Sequence, residues 1–319
     1  MKIKMALLSV GAIVSLIFCC GWIFYPTQEQ LRVPTAKDSG TVFSDFSRDQ
    51  GYLVLDYPVR RADVFSPDGE FMFAVPGHLF VPISDGRAYL HSVGLTMVDA
   101  RLKPIWQIKD ECHHMISVDD NENAFCPSWR FVTEGKNRIR INRVIGVDQT
   151  GRKIFEWDEA TNRDELTNEV GIPGQYMESP NFLFDHSYMN LNGVTVIPEN
   201  ETAKTLPAFR KGNIFVSEEL SHFFILDRET GKVVYSLKFP EVVGNDGAHS
   251  AQVLANGHIL FYNNNIDPTR YAPGPDQFSQ IVEMDPITKK VVWSYAPKSP
   301  HDFYNWEYGA VYPLPNGDL

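Results

Sequence analysis

Cysteine is scarce in this chain: four in 319 residues, and two of them, Cys19 and Cys20, sit inside an apolar run. Only Cys112 and Cys126 are left for a folded domain. Positive charge is also in deficit, with 29 Lys and Arg against 40 Asp and Glu and a formal charge of −11. That balance argues against a nucleic-acid partner, because phosphate contacts need a basic face. It does not exclude a small anionic ligand, which needs only local donors. Close histidine pairs at i, i+2 or i, i+4 are lacking too. His113-His114 alone is not a ligand set, so no metal site is expected.

Long hydrophobic runs number one, from Met5 to Tyr25. Its length suffices to cross about 30 Å of hydrocarbon as a helix. Lys2 and Lys4 precede it, Trp22 and Tyr25 stand at its far end, and Pro26 closes it. This pattern predicts an N-terminal transmembrane signal anchor over 1–25. The lysines would be cytoplasmic and a domain over 26–319 would lie outside, in a periplasm or in the secretory lumen and beyond. A cleaved signal peptide is the rival reading, but no small-x-small cleavage site stands before Pro26.

Beyond residue 26 helical periodicity is scarce, with short helical turns expected only in the polar stretches 158–168 and 199–210. What is abundant is aromatic residues, at 13%, with 22 Gly and 21 Pro. One theme recurs: an apolar run, an aspartate, a polar turn, then a second apolar run containing an aromatic. Leu95–Asp99 leads to Trp106, Val144–Asp148 to Phe155 and Trp157, Phe224–Asp227 to Tyr235, and Ile281–Asp285 to Trp293. Other hairpins carry Gly or Asn at the turn, as in Asn256-Gly257 and Gly212-Asn213. Paired hairpins make four-stranded blades, and repeated blades predict an all-β propeller rather than a sandwich. The unit headed by His249 begins again at Gly309 and stops after Asn316-Gly317 with Asp318 and Leu319. The propeller is therefore expected to be incomplete at its C-terminal end.

An oxidising compartment makes a Cys112–Cys126 disulfide tempting. If residues 119–123 form a hairpin turn, however, the two cysteines fall four residues out of register. That is on the order of 13 Å along a strand, so the bond is not expected.

From about residue 110 onward the chain resembles the arylsulfotransferase family. The likeness rests on Cys112-His113-His114-Met115-Ile116-Ser117-Val118-Asp119, the stretch from Gly212 to Asp227, and the units headed by His249 and Gly309. The resemblance implies an exported propeller, six-bladed when complete, that moves a sulfuryl group from an aryl sulfate to a phenol through a sulfo-histidine. By resemblance His249 falls on the nucleophile position and His114 on an assisting one. A neutral imidazole can attack sulfur and release the group to an acceptor, giving ping-pong kinetics. Donors must hold the sulfonate oxygens meanwhile. Asn190, Asn192, His113 and His222 are the candidate substrate-binding residues.

The chain departs from the family in two places. Asn190-Leu191-Asn192-Gly193 stands where a His-x-Asn-Ser strand start is usual, and the arginine expected after the Gly212-Asn213 strand is absent. An acidic run, Ser217-Glu218-Glu219, takes its place, and a glutamate there would repel a bound sulfate. These departures keep a second expectation open, a propeller without catalysis that binds a ligand or an envelope protein. A pyrroloquinoline quinone site is not expected either, since vicinal cysteines occur only in the predicted anchor. No cofactor is implied.

Overall fold

The structure is a computed structural model. It describes residues 53–313 apart from 58–60, 66–70, 77, 92–93, 111, 173–176, 179–185, 220–221, 240–245, 267–277, 299–303 and 306–308. The anchor expected over residues 1–25 lies outside the described residues. Among the described residues no helix is long and apolar enough to cross a membrane.

The chain forms antiparallel sheets in sequence order. Strands β1 (Leu53–Tyr57), β2 (Arg61–Phe65) and β3 (Phe71–Pro76) make a three-stranded sheet. Next comes a four-stranded sheet of β4 (His78–Pro82), β5 (Ala88–His91), β6 (Leu95–Val98) and β7 (Pro104–Gln107). The third sheet holds β8 (Ser117–Val118), β9 (Ala124–Glu134), β10 (Asn137–Val147) and β11 (Lys153–Asp158). Two short strands, β12 (Met177–Glu178) and β13 (His186–Ser187), extend it, β13 lying parallel to β10 at Ile139 and Arg140. The fourth contains β14 (Leu191–Val196), β15 (Ile214–Glu218), β16 (His222–Leu226) and β17 (Val233–Lys238). The fifth contains β18 (Asp246–Val253), β19 (Ile259–Ile266), β20 (Gln280–Asp285) and β21 (Lys290–Tyr295).

Apolar cores lie between successive sheets, and this separates a propeller from a sandwich. On β16, Phe224 and Leu226 pack toward Phe125, Val144 and Trp157 of the third sheet. Their neighbours Phe223 and Ile225 pack the other way, toward Ile259, Phe261 and Val282 of the fifth. A strand buried on both faces reads as a continuous apolar run, whereas a sandwich strand keeps one face for solvent. The second and third sheets meet likewise through Tyr89, Met97, Ile145 and Val147. The architecture is a β-propeller of face-packed, four-stranded blades.

The recurrent aspartate and aromatic each have a mechanical role. The aspartate closes the outer hairpin by accepting turn N–H groups. Asp99 Oδ1 takes those of Arg101 and Lys103, both at 2.9 Å. Asp148 takes those of Thr150 at 2.9 Å and Arg152 at 3.0 Å. Asp227 takes those of Glu229 at 3.1 Å and Thr230 at 2.9 Å, and Asp285 that of Ile287 at 2.8 Å. The aromatic then reaches the corresponding turn of the next blade. Trp106 Nε1 donates to Gln149 O at 2.8 Å, and Tyr235 Oη donates to Pro286 O at 3.1 Å. Trp157 lies 3.9 Å from where a Cβ on Gly231 would stand.

Cys112 and Cys126 form a disulfide with a Cα separation of 5.6 Å, contrary to the register argument. The hairpin register is as expected, Val118 facing Ala124 and Ser117 facing Phe125. The chain does not continue straight upstream of it. His114 adopts φ 62°, and the kink re-seats Cys112 opposite Ser128, beside Cys126. The polar excursions are short helical turns at Glu159–Thr161, Arg163–Val170, Thr202–Lys204 and Pro207–Phe209.

Candidate active site

The entry ends of three successive first strands bring polar residues together in an otherwise apolar interior. His113 and His114 precede β8, Asn190 and Asn192 stand at the start of β14, and His249 lies in β18. Packing between β14 and both β8 and β18 makes these ends neighbours. His113, Asn192 and His249 are buried, as is Asn264 of β19.

His249 has a defined tautomer. Its Nδ1 lies 2.6 Å from Asn264 Oδ1. The Asn264 amide cannot be reversed without loss, because its Nδ2 donates to Asn305 O at 2.9 Å and a carbonyl only accepts. His249 Nδ1 therefore carries the proton. The Nδ2 of Asn192, 3.5 Å from the same nitrogen, instead donates to Ala248 O at 3.2 Å. The lone pair is left on Nε2. Burial pulls the imidazole pKa down to about 4, against a smaller upward pull from the Asn264 bond. The ring is neutral at pH 7 and nucleophilic at one nitrogen.

The His114 ring stands 5.3 Å from that of His249, centroid to centroid. It shares an Nδ1–Nδ1 hydrogen bond with His113, whose ring stacks at 4.3 Å on Trp129. Burial holds His113 and His114 well below the usual histidine range. Secondary contributions come from His114 and Arg140 at His113, and from His249 and Arg140 at His114. Three neutral imidazoles thus stand in series around one charged residue.

That residue, Arg140, was not anticipated from the sequence. It is buried, comes from β10 and donates through Nη2 to Asn190 Oδ1 at 2.9 Å. It brings a guanidinium to the cluster from a different blade than the one where the arylsulfotransferase resemblance leads an arginine to be expected. Its signal was alternation in β10, where Arg138, Arg140 and Asn142 interleave with Ile139 and Ile141. Asn190 passes the link on: its Nδ2 lies 3.2 Å from Asn192 Oδ1 and 2.7 Å from Glu219 Oε2. Burial raises the Glu219 carboxyl above the usual carboxylate range, opposed by the Asn190 bond and by Arg140. The repulsion expected of Glu219 is therefore softened by the Asn190 donor and by the nearby Arg140 cation.

Asn190 is also braced from behind. Asn142 Nδ2 donates to Met189 O at 2.7 Å and to Glu159 Oε2 at 2.8 Å, and Asn142 N donates to that oxygen at 2.7 Å. Glu159 is buried, which lifts its pKa to about 7. Gly193 lets β14 approach its neighbour, since a Cβ there would stand 2.5 Å from Ser217 Oγ. Backbone strain gathers here as well, with φ 62° at His114 and 52° at Ser250, beside His249. Such non-glycine conformations cost roughly 1–3 kcal/mol and tend to mark functional sites.

His222 lies elsewhere. It stands on the third strand of its blade, 4.0 Å from Glu218, near Gly171. His113, His114, Asn190, Asn192 and His249 are brought together, and Trp129, Arg140 and Asn264 join them unanticipated. The asparagine run Asn263-Asn264-Asn265 at the end of β19 was the readable sign of a polar strand end in the interior. Among the described residues no group of three or more His, Cys, Asp or Glu is disposed to hold a metal.

No family model matches the chain, and a search of curated proteins returns no relative. Among solved structures it is similar to a protein of unknown function from Bacteroides caccae, at 15% identity and TM-score 0.47, covering 78% of this chain and 79% of that one. It is also similar to the WD40 domain of Neurospora crassa Pan2, at 12% identity and TM-score 0.43, over 78% and 63% of the two chains. The WD40 propeller of Doa1 matches at 9% identity and TM-score 0.43, over 85% and 86%.

Proposed function

We propose that this chain is an arylsulfotransferase-like enzyme built on a β-propeller of six blades. His249 is its nucleophile, with His114 assisting. The observation that carries the reading is the His249 tautomer: a buried, neutral imidazole with Nδ1–H committed to Asn264 and its lone pair on Nε2. In the first half-reaction Nε2 forms a bond to sulfur, the S–O ester bond breaks, and the donor leaves as its phenolate. In the second, an acceptor phenol gives its proton to neutral His114 while its oxygen bonds sulfur and the N–S bond breaks. The proton then passes to the released phenolate. Arg140 and the second N–H of the Asn192 amide supply the donors for the sulfonate oxygens, while Asn190 positions Arg140 by accepting from it. Aryl sulfates and phenols are the partners of this reading, and the exported location and N-terminal anchor belong to the same proposal.

The test is 4-nitrophenol release from 4-nitrophenyl sulfate in the presence of a second phenol. Wild type should show ping-pong kinetics, and His249→Ala should lose turnover. Unchanged turnover in His249→Ala would remove His249 from the mechanism.

A further inference from the structure

Successive residues of an extended strand point to opposite sides, yet the rings of His113 and His114 meet in an Nδ1–Nδ1 hydrogen bond. The backbone is turned to allow it. His114 occupies the left-handed region at φ 62°. Met115 N donates to His113 O at 2.7 Å, and His113 N donates to Pro127 O at 3.1 Å. The disulfide to Cys126 ties down Cys112, the residue before the pair. A non-glycine residue held in that region is strained, and what the strain secures here is contact between two rings.

Two neutral imidazoles joined through Nδ1 hold opposite tautomers, because one nitrogen donates and the other accepts. If His113 donated, His114 would carry its own proton on Nε2 and have no lone pair left for another. If His114 donates, its Nε2 keeps a lone pair and His113 is the Nε2–H tautomer. The surroundings favour the second arrangement, in which an added proton is passed to His113. Burial, then His249 of β18 and Arg140 of β10, oppose a charge on His114. Burial, His114, Arg140 and His91 of β5 oppose one on His113, but there a bond to the Ser128 backbone favours it. The His113 ring also stacks at 4.3 Å on Trp129, and an indole face attracts a cation. His113 is buried and His114 only partly so, which leaves His114 as the ring a substrate reaches.

We propose that His113 and His114 act as one proton-sharing base, His114 donating its Nδ1–H to His113 Nδ1 and meeting the acceptor phenol through Nε2. The phenol as the source of the proton rests on the sulfuryl-transfer reading; the pairing of the rings does not. In the acceptor step the phenol O–H proton goes to His114 Nε2, and the His114 Nδ1 proton moves to His113 Nδ1. His113 then holds both N–H groups and the positive charge, while the phenol oxygen bonds sulfur and the N–S bond to His249 breaks. The released phenolate takes the proton back along the same path. His113 is thus a positioning residue that acts through His114, and not a ligand for the sulfonate.

The test begins with long-range 1H–15N NMR of the resting protein labelled with 15N-histidine, His114 being assigned by its absence in His114→Gln. The spectrum should show His114 protonated on Nδ1 and His113 on Nε2. His113→Asn offers an oxygen where Nδ1 stood, so it should keep the His114 tautomer while refusing the proton; His113→Leu should lose both. With phenol as acceptor, transfer should slow about tenfold in His113→Asn and about a hundredfold in His113→Leu, within the usual range for a general base. Pentafluorophenol, already ionised at neutral pH, gives no proton, and its transfer should stay within about twofold of wild type in both variants. The first burst of 4-nitrophenol from 4-nitrophenyl sulfate should be unchanged. His114 protonated on Nε2 in the resting protein, or equal slowing with the two acceptors, would overturn the proposal. The expected tautomers in a protein that never turns over 4-nitrophenyl sulfate would uphold the pair and reject the transferase. Turnover through His249 with His114 protonated on Nε2 would do the reverse.

Discussion

Glu159 offers a quantitative test of how the site is braced. Its carboxyl is buried, accepts from the backbone and side chain of Asn142, and has a pKa near 7 against 4.5 for a free glutamate. A group whose folded pKa is raised keeps its proton in the native state while the unfolded chain gives it up. Stability from this group is therefore whole below about pH 4.5 and falls as pH rises toward 7. Each pH unit between those values is worth about 1.4 kcal/mol, so the native state loses roughly 3 kcal/mol by neutral pH. Glu159→Gln removes the titration and keeps an oxygen for Asn142. Urea unfolding of both proteins at pH 4.5 and pH 7.5 gives the comparison. The glutamine variant should gain about 3 kcal/mol relative to wild type between the two pH values. A difference that does not change with pH would refute the assignment of Glu159 as a buried, protonated acid.

His249 should act with the opposite sign. Its pKa is depressed to about 4, so the unfolded chain binds a proton below about pH 6.5 that the folded state refuses. The His249 contribution should be lost as pH falls from 6.5 toward 4, so His249→Ala should gain stability relative to wild type over that window in the same urea series. The disulfide closes a span of 14 residues. Replacing both Cys112 and Cys126 by serine should lower unfolding free energy by about 3 kcal/mol, measured by the same method, and loosen the His113–His114 segment that follows.

The outer hairpins were legible in the sequence because two local rules coincide there. An aspartate that can accept turn N–H groups ends one apolar run, and an aromatic that must find an interblade seat marks the next. Asp99 with Trp106 and Asp227 with Tyr235 behave in this way, so repetition of the pair translated directly into blades. Polar turns at 158–168 and 199–210 were legible for the same local reason. The disulfide was not, because strand register was extrapolated through His114, where the backbone turns out of the strand. Nor was Arg140 as a member of the site. It is remote in sequence from Asn190 and His249, and only the length of β10 carries it to them. His222 was drawn into the candidate set by its proximity to the position where the resemblance leads an arginine to be expected, but it stands on the third strand of its blade, away from the first-strand ends that gather the other candidates. Asn264 escaped notice because its role depends on a bond to Asn305 across a loop.

The proposed transfer requires His249 Nε2 to accept the sulfuryl group. The most direct measurement is mass spectrometry of protein quenched in alkali during turnover of 4-nitrophenyl sulfate, with peptides sequenced around residue 249. A sulfuryl adduct on His249 that disappears on adding an acceptor phenol is the expected result. Turnover with no adduct at His249, or with the adduct on another residue, would contradict it.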